Sequence, residues 1–178
     1  MKNSICRIGS HLSAVAVIVS LMLSGASVAW AQQAAKTMKD QLVGTWALVS
    51  ADEVGKDGSR KPNFGPNPKG TIMFDANGRY FAMLMSSSRP KFAGGNRSKG
   101  TADENATTVR GSLAYYGTYS VDEASKTLIS NVEGSTFPNS EGQQQKRTII
   151  SLTANELKYI NPATTTGGTA EAVWRRVK

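Results

Sequence analysis

A Gly44-Thr45-Trp46 tripeptide and a terminal Trp174-Arg175-Arg176 run bracket a succession of short, turn-bounded segments of strand-forming residues. In an up-and-down β-barrel the first strand pairs with the last. A tryptophan on one is then covered by an arginine from the other, with a cation–π contact of about 0.5–2 kcal/mol. The bracketing predicts a closed barrel with Trp46, Trp174 and Arg176 as structural residues. Without that pairing the two tryptophans are ordinary core aromatics. Both readings describe a container, and neither describes a reaction.

Residues 1–31 read as an export signal. Lys2 and Arg7 precede an apolar run from Leu12 to Leu23, and small residues end in Ala29-Trp30-Ala31 before Gln32, the pattern of a secretory leader with its cleavage site. The apolar run falls short of the roughly 20 residues of a bilayer span, and nothing later is long and apolar enough. The expectation is an exported protein, periplasmic or secreted, with no transmembrane segment and one domain over residues 32–178. The one cysteine, Cys6, and the one histidine, His11, both fall in the leader. The mature chain therefore lacks disulfides, thiol nucleophiles, thiolate or imidazole metal ligands and histidine bases, and keeps carboxylate, tyrosine, lysine and metal-oxygen chemistry. No Gly-rich phosphate loop or carboxylate metal cluster is present, so no cofactor or metal is expected. Without Lys2 and Arg7, 19 basic residues face 13 acidic ones, a net charge of about +6. The basic residues form loose pairs, Arg89 and Lys91, Arg97 and Lys99, Lys146 and Arg147. They lack the dense stripe and interleaved aromatics of a nucleic-acid surface, and no nucleic-acid partner is expected.

Along the chain, a short helix over Lys36–Gln41 precedes a first strand, Leu42–Ser50. The stretch Pro62-Asn63-Phe64-Gly65-Pro66-Asn67-Pro68 reads as an ordered loop in which Phe64 seeks burial. Asn77-Gly78 separates two apolar runs and marks a hairpin; a two-residue turn places Phe74 opposite Phe81 and Ile72 opposite Met83. The period-2 pattern stops from Ser86 to Ser112, where a helix over Thr101–Arg110 makes the long loop a lid or plug at a barrel opening. Five more strands follow, over 113–121, 127–133, 145–152, 156–160 and 170–177. The fold class is all-β, an eight-stranded antiparallel up-and-down barrel with a short helix in a long lid loop.

With these elements placed, several short stretches occur in order: Gly44-Thr45-Trp46-Ala47-Leu48-Val49-Ser50, Gly65-Pro66-Asn67-Pro68-Lys69-Gly70, Arg89-Pro90-Lys91-Phe92, Tyr115-Tyr116-Gly117-Thr118-Tyr119, Val132-Glu133-Gly134-Ser135, Phe137-Pro138-Asn139 and Trp174-Arg175-Arg176. In them the chain resembles the bacterial and fungal lipocalin-like domain family, a branch of the calycin barrels. The resemblance covers nearly all of the mature chain. It implies an eight-stranded barrel enclosing a cavity, and no particular ligand or activity. The chain departs from the pattern at Ser130-Asn131, where relatives often carry histidine, and at Ser140, where an aromatic often stands.

Candidate ligand-binding residues are Tyr80, Met83, Tyr115, Tyr119, Glu133 and Arg147. Tyr115 and Tyr119 share a strand face, and a tyrosine offers either a pocket wall with a hydroxyl tip or an ordinary strand residue. Asn131 and Glu133 share one face and Gln145 and Arg147 another. If the two faces coincide, Glu133 and Arg147 orient a ligand inside the cavity; otherwise the pair is a surface or rim contact. Met73, Met83 and Met85, with Met38, form either a deformable lining or plain core. Three functions stay open. The first is binding of a small hydrophobic or amphipathic ligand. The second is a cyclase- or isomerase-type enzyme using Glu133 or a tyrosine. The third is an envelope-interaction protein with a filled barrel and an exposed patch around Phe64 and Phe92.

Overall fold

In the computed structural model, which describes residues 35–178, nine antiparallel strands follow in chain order: β1 (Gly44–Val54), β2 (Arg60–Pro62), β3 (Lys69–Phe74), β4 (Arg79–Met85), β5 (Ser112–Asp122), β6 (Thr127–Ser135), β7 (Gln144–Leu152), β8 (Glu156–Asn161) and β9 (Thr169–Arg176). The export-signal reading of residues 1–31 lies outside the described residues. β3 to β9 pair successively, and β1 pairs with both β3 and β9, so eight strands close a ring. The ninth corrects the sequence reading, which leaves Arg60–Pro62 in a loop. β3 covers β1 only from Gly44 to Ala47. The edge of β1 beyond it would otherwise expose unpaired backbone groups, and β2 pairs there with Asp52–Val54. Helix α1 (Met38–Leu42) lies at one end of the ring and α2 (Ala102–Arg110) in the long β4–β5 connection; both begin with capping boxes, Thr37 with Asp40 and Thr101 with Glu104. Among the described residues no helix is long and apolar enough to cross a membrane.

The β3–β4 hairpin is one residue out of the expected register. Phe74 faces Tyr80 and Ile72 faces Ala82. The turn has three residues rather than two: the Asp75 and Arg79 backbones pair, with the Asp75 N–H donating to the Arg79 carbonyl at 2.9 Å, and the Asp75 carboxylate accepts from the Arg79 N–H at 2.7 Å. Gly78 alone takes the left-handed conformation, φ +87°, and Asn77 does not, which fits a three-residue loop and excludes the mirror-image two-residue turn. A slip of one residue exchanges the faces of β4 relative to β3. Ile72, Phe74, Tyr80, Ala82 and Leu84 are consequently buried inside, while Met73 and Phe81 are exposed on the outer wall and Met83 and Met85 are half-buried.

Bulges reset the alternation elsewhere. In β1 the register shifts between Leu48 and Ser50, so Trp46 and Leu48 face inward before the bulge and Ala51 after it. Trp46, Trp174, Leu128 and Leu157 fill one half of the barrel, Leu42 of α1 closes that end, and the Trp46 indole donates to the Leu42 carbonyl at 2.8 Å. At the seam, the Arg176 guanidinium lies 3.9 Å from the centre of the Trp46 ring.

On the outer wall, Arg60 of β2 reaches across β1 to Glu171 of β9 at 2.8 Å, and Lys158 of β8 reaches the same carboxylate at 3.1 Å. The Arg60 hydrogen bond holds the Glu171 carboxyl below its ordinary range; partial burial opposes this, and Lys158 adds to it. A depressed folded-state pKa contributes stability above the unfolded value of about 4.3, and that stability is lost as pH falls through the folded value. Glu171→Gln is therefore expected to be less stable than the parent at pH 7 in urea unfolding. The two curves should converge as pH falls through that folded value, and a difference that persists undiminished in acid would contradict the linkage.

Candidate functional site

The other half of the barrel is open. A cavity of about 260 Å³ extends from its mouth inward. Its walls follow the strand ends: Ala51 of β1, Leu84 of β4, Leu113 and Tyr115 of β5, Gln145 and Arg147 of β7, Tyr159 and Asn161 of β8, and Ala170 and Ala172 of β9. One residue pair deeper on each strand the interior is filled by Tyr80, Ile149, Leu157 and Trp174. The mouth is formed by Phe64, by Val109 and Arg110 at the end of α2, by Thr136 and Phe137, and by the Ala163–Thr166 loop. The long β4–β5 connection thus does reach the barrel opening, and Phe64 is placed against the cavity and the core.

Arg147 lies at the floor, 4% exposed. Its guanidinium donates to the Tyr115 hydroxyl at 3.2 Å, to the Ser130 hydroxyl at 3.4 Å and to the Gln145 side-chain carbonyl in a short contact. The Tyr115 and Tyr159 rings flank it at 5.7 and 5.6 Å. Neutral groups and aromatic faces thus hold a cation that stays protonated at any ordinary pH. Beneath this layer, the Tyr80 hydroxyl and Trp174 indole N–H are buried without a hydrogen-bond partner. Ser130 and Tyr159 are their polar neighbours, outside hydrogen-bond geometry. Burial pushes the Tyr80 hydroxyl up to about 12, with the nearby Arg147 pulling the other way, and burial also pushes Tyr159 up. Both stay protonated at neutral pH and serve as donors rather than bases. The cavity lining contains no aspartate or glutamate. Among the described residues no three His, Cys, Asp or Glu side chains converge as metal ligands would.

Of the residues singled out in the sequence, Tyr115 and Arg147 meet at this floor. Tyr80 lies one layer below, its ring 6.0 Å from that of Tyr115. Three others lie elsewhere. Tyr119 is inside the barrel but toward the closed half, where its hydroxyl donates to the Asp75 carbonyl at 2.8 Å and its ring meets Phe74 edge-on at 4.8 Å. Met83 is on the outer wall because of the hairpin register. Glu133 is also outside, bound through both carboxylate oxygens to Arg79 at 2.6 and 2.8 Å. The Glu133–Arg147 pair is thereby corrected: Leu128 faces Arg147 and Ser130 faces Gln145 across β6 and β7, which leaves Asn131 and Glu133 on the opposite face. Residues missed in the sequence are Tyr159, Gln145 and the small-residue wall of Ala51, Ala170 and Ala172. Tyr159 carried a signal, since Glu156-Leu157-Lys158-Tyr159 alternates cleanly between polar and apolar residues.

An antiparallel ring filled at one end and hollow at the other, with a polar floor, defines a calycin-type cup. The chain belongs to the lipocalin-like domain family, whose profile matches residues 43–177. Among curated proteins, none matches the sequence. Solved structures that are similar include a de novo designed fluorescence-activating β-barrel, at 12% identity over 80% of this chain and 100% of that one, TM-score 0.42. A redesigned barrel, mFAP1, bound to DFHBI is similar at 14% identity over 79% and 100%, TM-score 0.41. Bovine odorant binding protein in complex with a selenium-containing odorant is similar at 16% identity over 83% and 76%, TM-score 0.39.

Proposed function

We propose that this protein is an exported binding protein that takes a small amphipathic molecule into the open half of its barrel. The observation that carries the reading is the cavity of about 260 Å³, with the apolar side chains of Phe64, Leu84 and Leu113 on its walls and a cluster of hydrogen-bonding groups at the floor. Small-molecule sites have this form: mostly apolar lining with a few convergent polar groups that set orientation. In this reading Phe64, Leu84 and Leu113 hold the apolar part, and Tyr115, Gln145 and Arg147 the polar end. The enzyme reading built on Glu133 loses its base, since that carboxylate is outside and paired with Arg79. The interaction-surface reading needs a filled barrel and an exposed patch around Phe64 and Phe92, whereas one half of the barrel is hollow and both phenylalanines are half-buried.

The test is uptake of N-phenyl-1-naphthylamine by the purified protein, read by fluorescence. Saturable binding with a blue-shifted emission is expected in the parent, and Ala172→Phe, which fills the cavity from β9, is expected to weaken it tenfold or more while circular dichroism remains unchanged. Absence of saturable uptake, together with no co-purifying small molecule in native mass spectrometry, would overturn the proposal.

A further inference from the structure

Arg147 lacks a counter-ion. All 13 acidic residues of the chain lie at or beyond Asp40, so the described residues include every carboxylate side chain, and no salt bridge reaches Arg147. Folded proteins pair their buried charges or keep them in water, because taking an ion out of water alone is expensive. Here the guanidinium is buried, its contacts are neutral, and one side of it faces the cavity. The layer is also rich in donors. Arg147 brings five N–H groups, and the Tyr115 and Tyr159 hydroxyls add two more donors, against few acceptors such as the Gln145 and Ser130 oxygens.

We infer that the ligand is an anion, an amphiphile whose carboxylate seats on Arg147 at the cavity floor with its apolar part directed toward the mouth. The inference rests on the small-molecule reading above and adds to it the sign of the charge and the orientation. A carboxylate only accepts hydrogen bonds, and its two oxygens match the planar fork of a guanidinium, so it meets both the missing charge and the missing acceptors. The cavity volume equals about nine waters at liquid density, enough for a carboxylate with a short chain or a single ring. A longer chain leaves past Val109, which is 71% exposed, and Phe137. Arg110, also at the mouth, adds positive potential along the entry path.

Isothermal titration of the full mature protein with octanoate, 1-octanol and octylamine at pH 7.5 separates head-group charge from chain burial. Octanoate is expected to bind at least tenfold more tightly than octanol, and octylammonium most weakly. The octanoate-to-octanol ratio should collapse toward one in Arg147→Met and be partly retained in Arg147→Lys, which keeps a cation but loses the planar fork. Thermal melting of the parent should rise with octanoate and not with octylamine. Equal binding of octanoate and octanol by the parent would overturn the anion inference and leave the small-molecule reading standing. A ratio unchanged in Arg147→Met would overturn the assignment to that residue. Failure of all three to bind, alongside failed dye uptake, would remove both readings.

Discussion

Gly117→Ala is expected to destabilise the barrel by about 3 kcal/mol or more, at the upper end of what overpacking produces, and to lower Tm by on the order of 10 °C for a domain of this size. The reason is local. Between β5 and β6 the pairing runs Tyr116 with Gly134 and then Gly117 with Val132, leaving Glu133 as the extra residue of a bulge. A Cβ on Gly117 would lie 1.9 Å from the Asn131 carbonyl oxygen and 3.0 Å from the Glu133 nitrogen. The obstacle is backbone on both sides, so no rotamer change relieves it and the two strands must separate. Gly134→Ala is the matched control. Its Cβ would meet Tyr116 ring atoms at 2.5–2.8 Å, but that side chain is exposed on the outer wall and can swing aside, so a loss of about 1 kcal/mol is expected. Urea and thermal unfolding of the two variants check the contrast; equal losses would show that the bulge tolerates a side chain at Gly117. Tyr115 lies two residues along the same strand, so separation at Gly117 also disturbs one wall of the cavity floor.

The same bulge explains part of what the sequence conveyed. Alternation along β5 placed Tyr115 and Tyr119 on one face and Tyr116 on the other, and all three lie where that alternation puts them. Strand order and closure were legible for a similar reason: turn residues punctuate apolar runs at regular spacing, and the terminal tryptophans with Arg176 mark the seam. Register across turns was not. Asn77-Gly78 signals a hairpin, but whether the turn has two or three residues depends on Asp75, whose side chain caps the Arg79 N–H; Asp is favoured at the first position of such turns. That single residue decides whether Met83 or Tyr80 shares the inner face with Ile72 and Phe74. The β6–β7 connection poses the same difficulty on a larger scale. A short 3-10 helix at Pro138–Ser140 lies within it, and Glu141 accepts from the Ser135 N–H at 3.0 Å. The pairing it imposes puts Arg147 inside and Glu133 outside, a result no period-2 count within either strand can give.

Trp46→Ala is expected to destabilise the protein by about 3–5 kcal/mol, the range for removing a large buried aromatic, and part of that loss should depend on Arg176. Trp46 is fully buried at the closed end, on the first strand where it pairs with the last. Above its ring, the Arg176 guanidinium donates to the Val43 carbonyl at 2.8 Å, to the Ala154 carbonyl at 2.7 Å and to the Gln41 carbonyl in a short contact. One side chain from β9 thus ties together the segment after α1, the β7–β8 turn and the indole of β1. Arg176→Met keeps apolar cover over the ring and removes the donors, so it isolates the polar part of the clasp; a loss of about 2 kcal/mol is expected, since hydrogen bonds from a charged group contribute about 1.5–3 kcal/mol. If the cation–π contact and the shared seam are real energetic units, the double variant will be more stable than the sum of the single losses predicts, by about 0.5–2 kcal/mol. Urea unfolding of the four proteins measures that coupling directly. Additivity within about 0.3–0.5 kcal/mol would mean that the tryptophan stabilises the barrel by packing alone and that Arg176 merely satisfies the carbonyls around it.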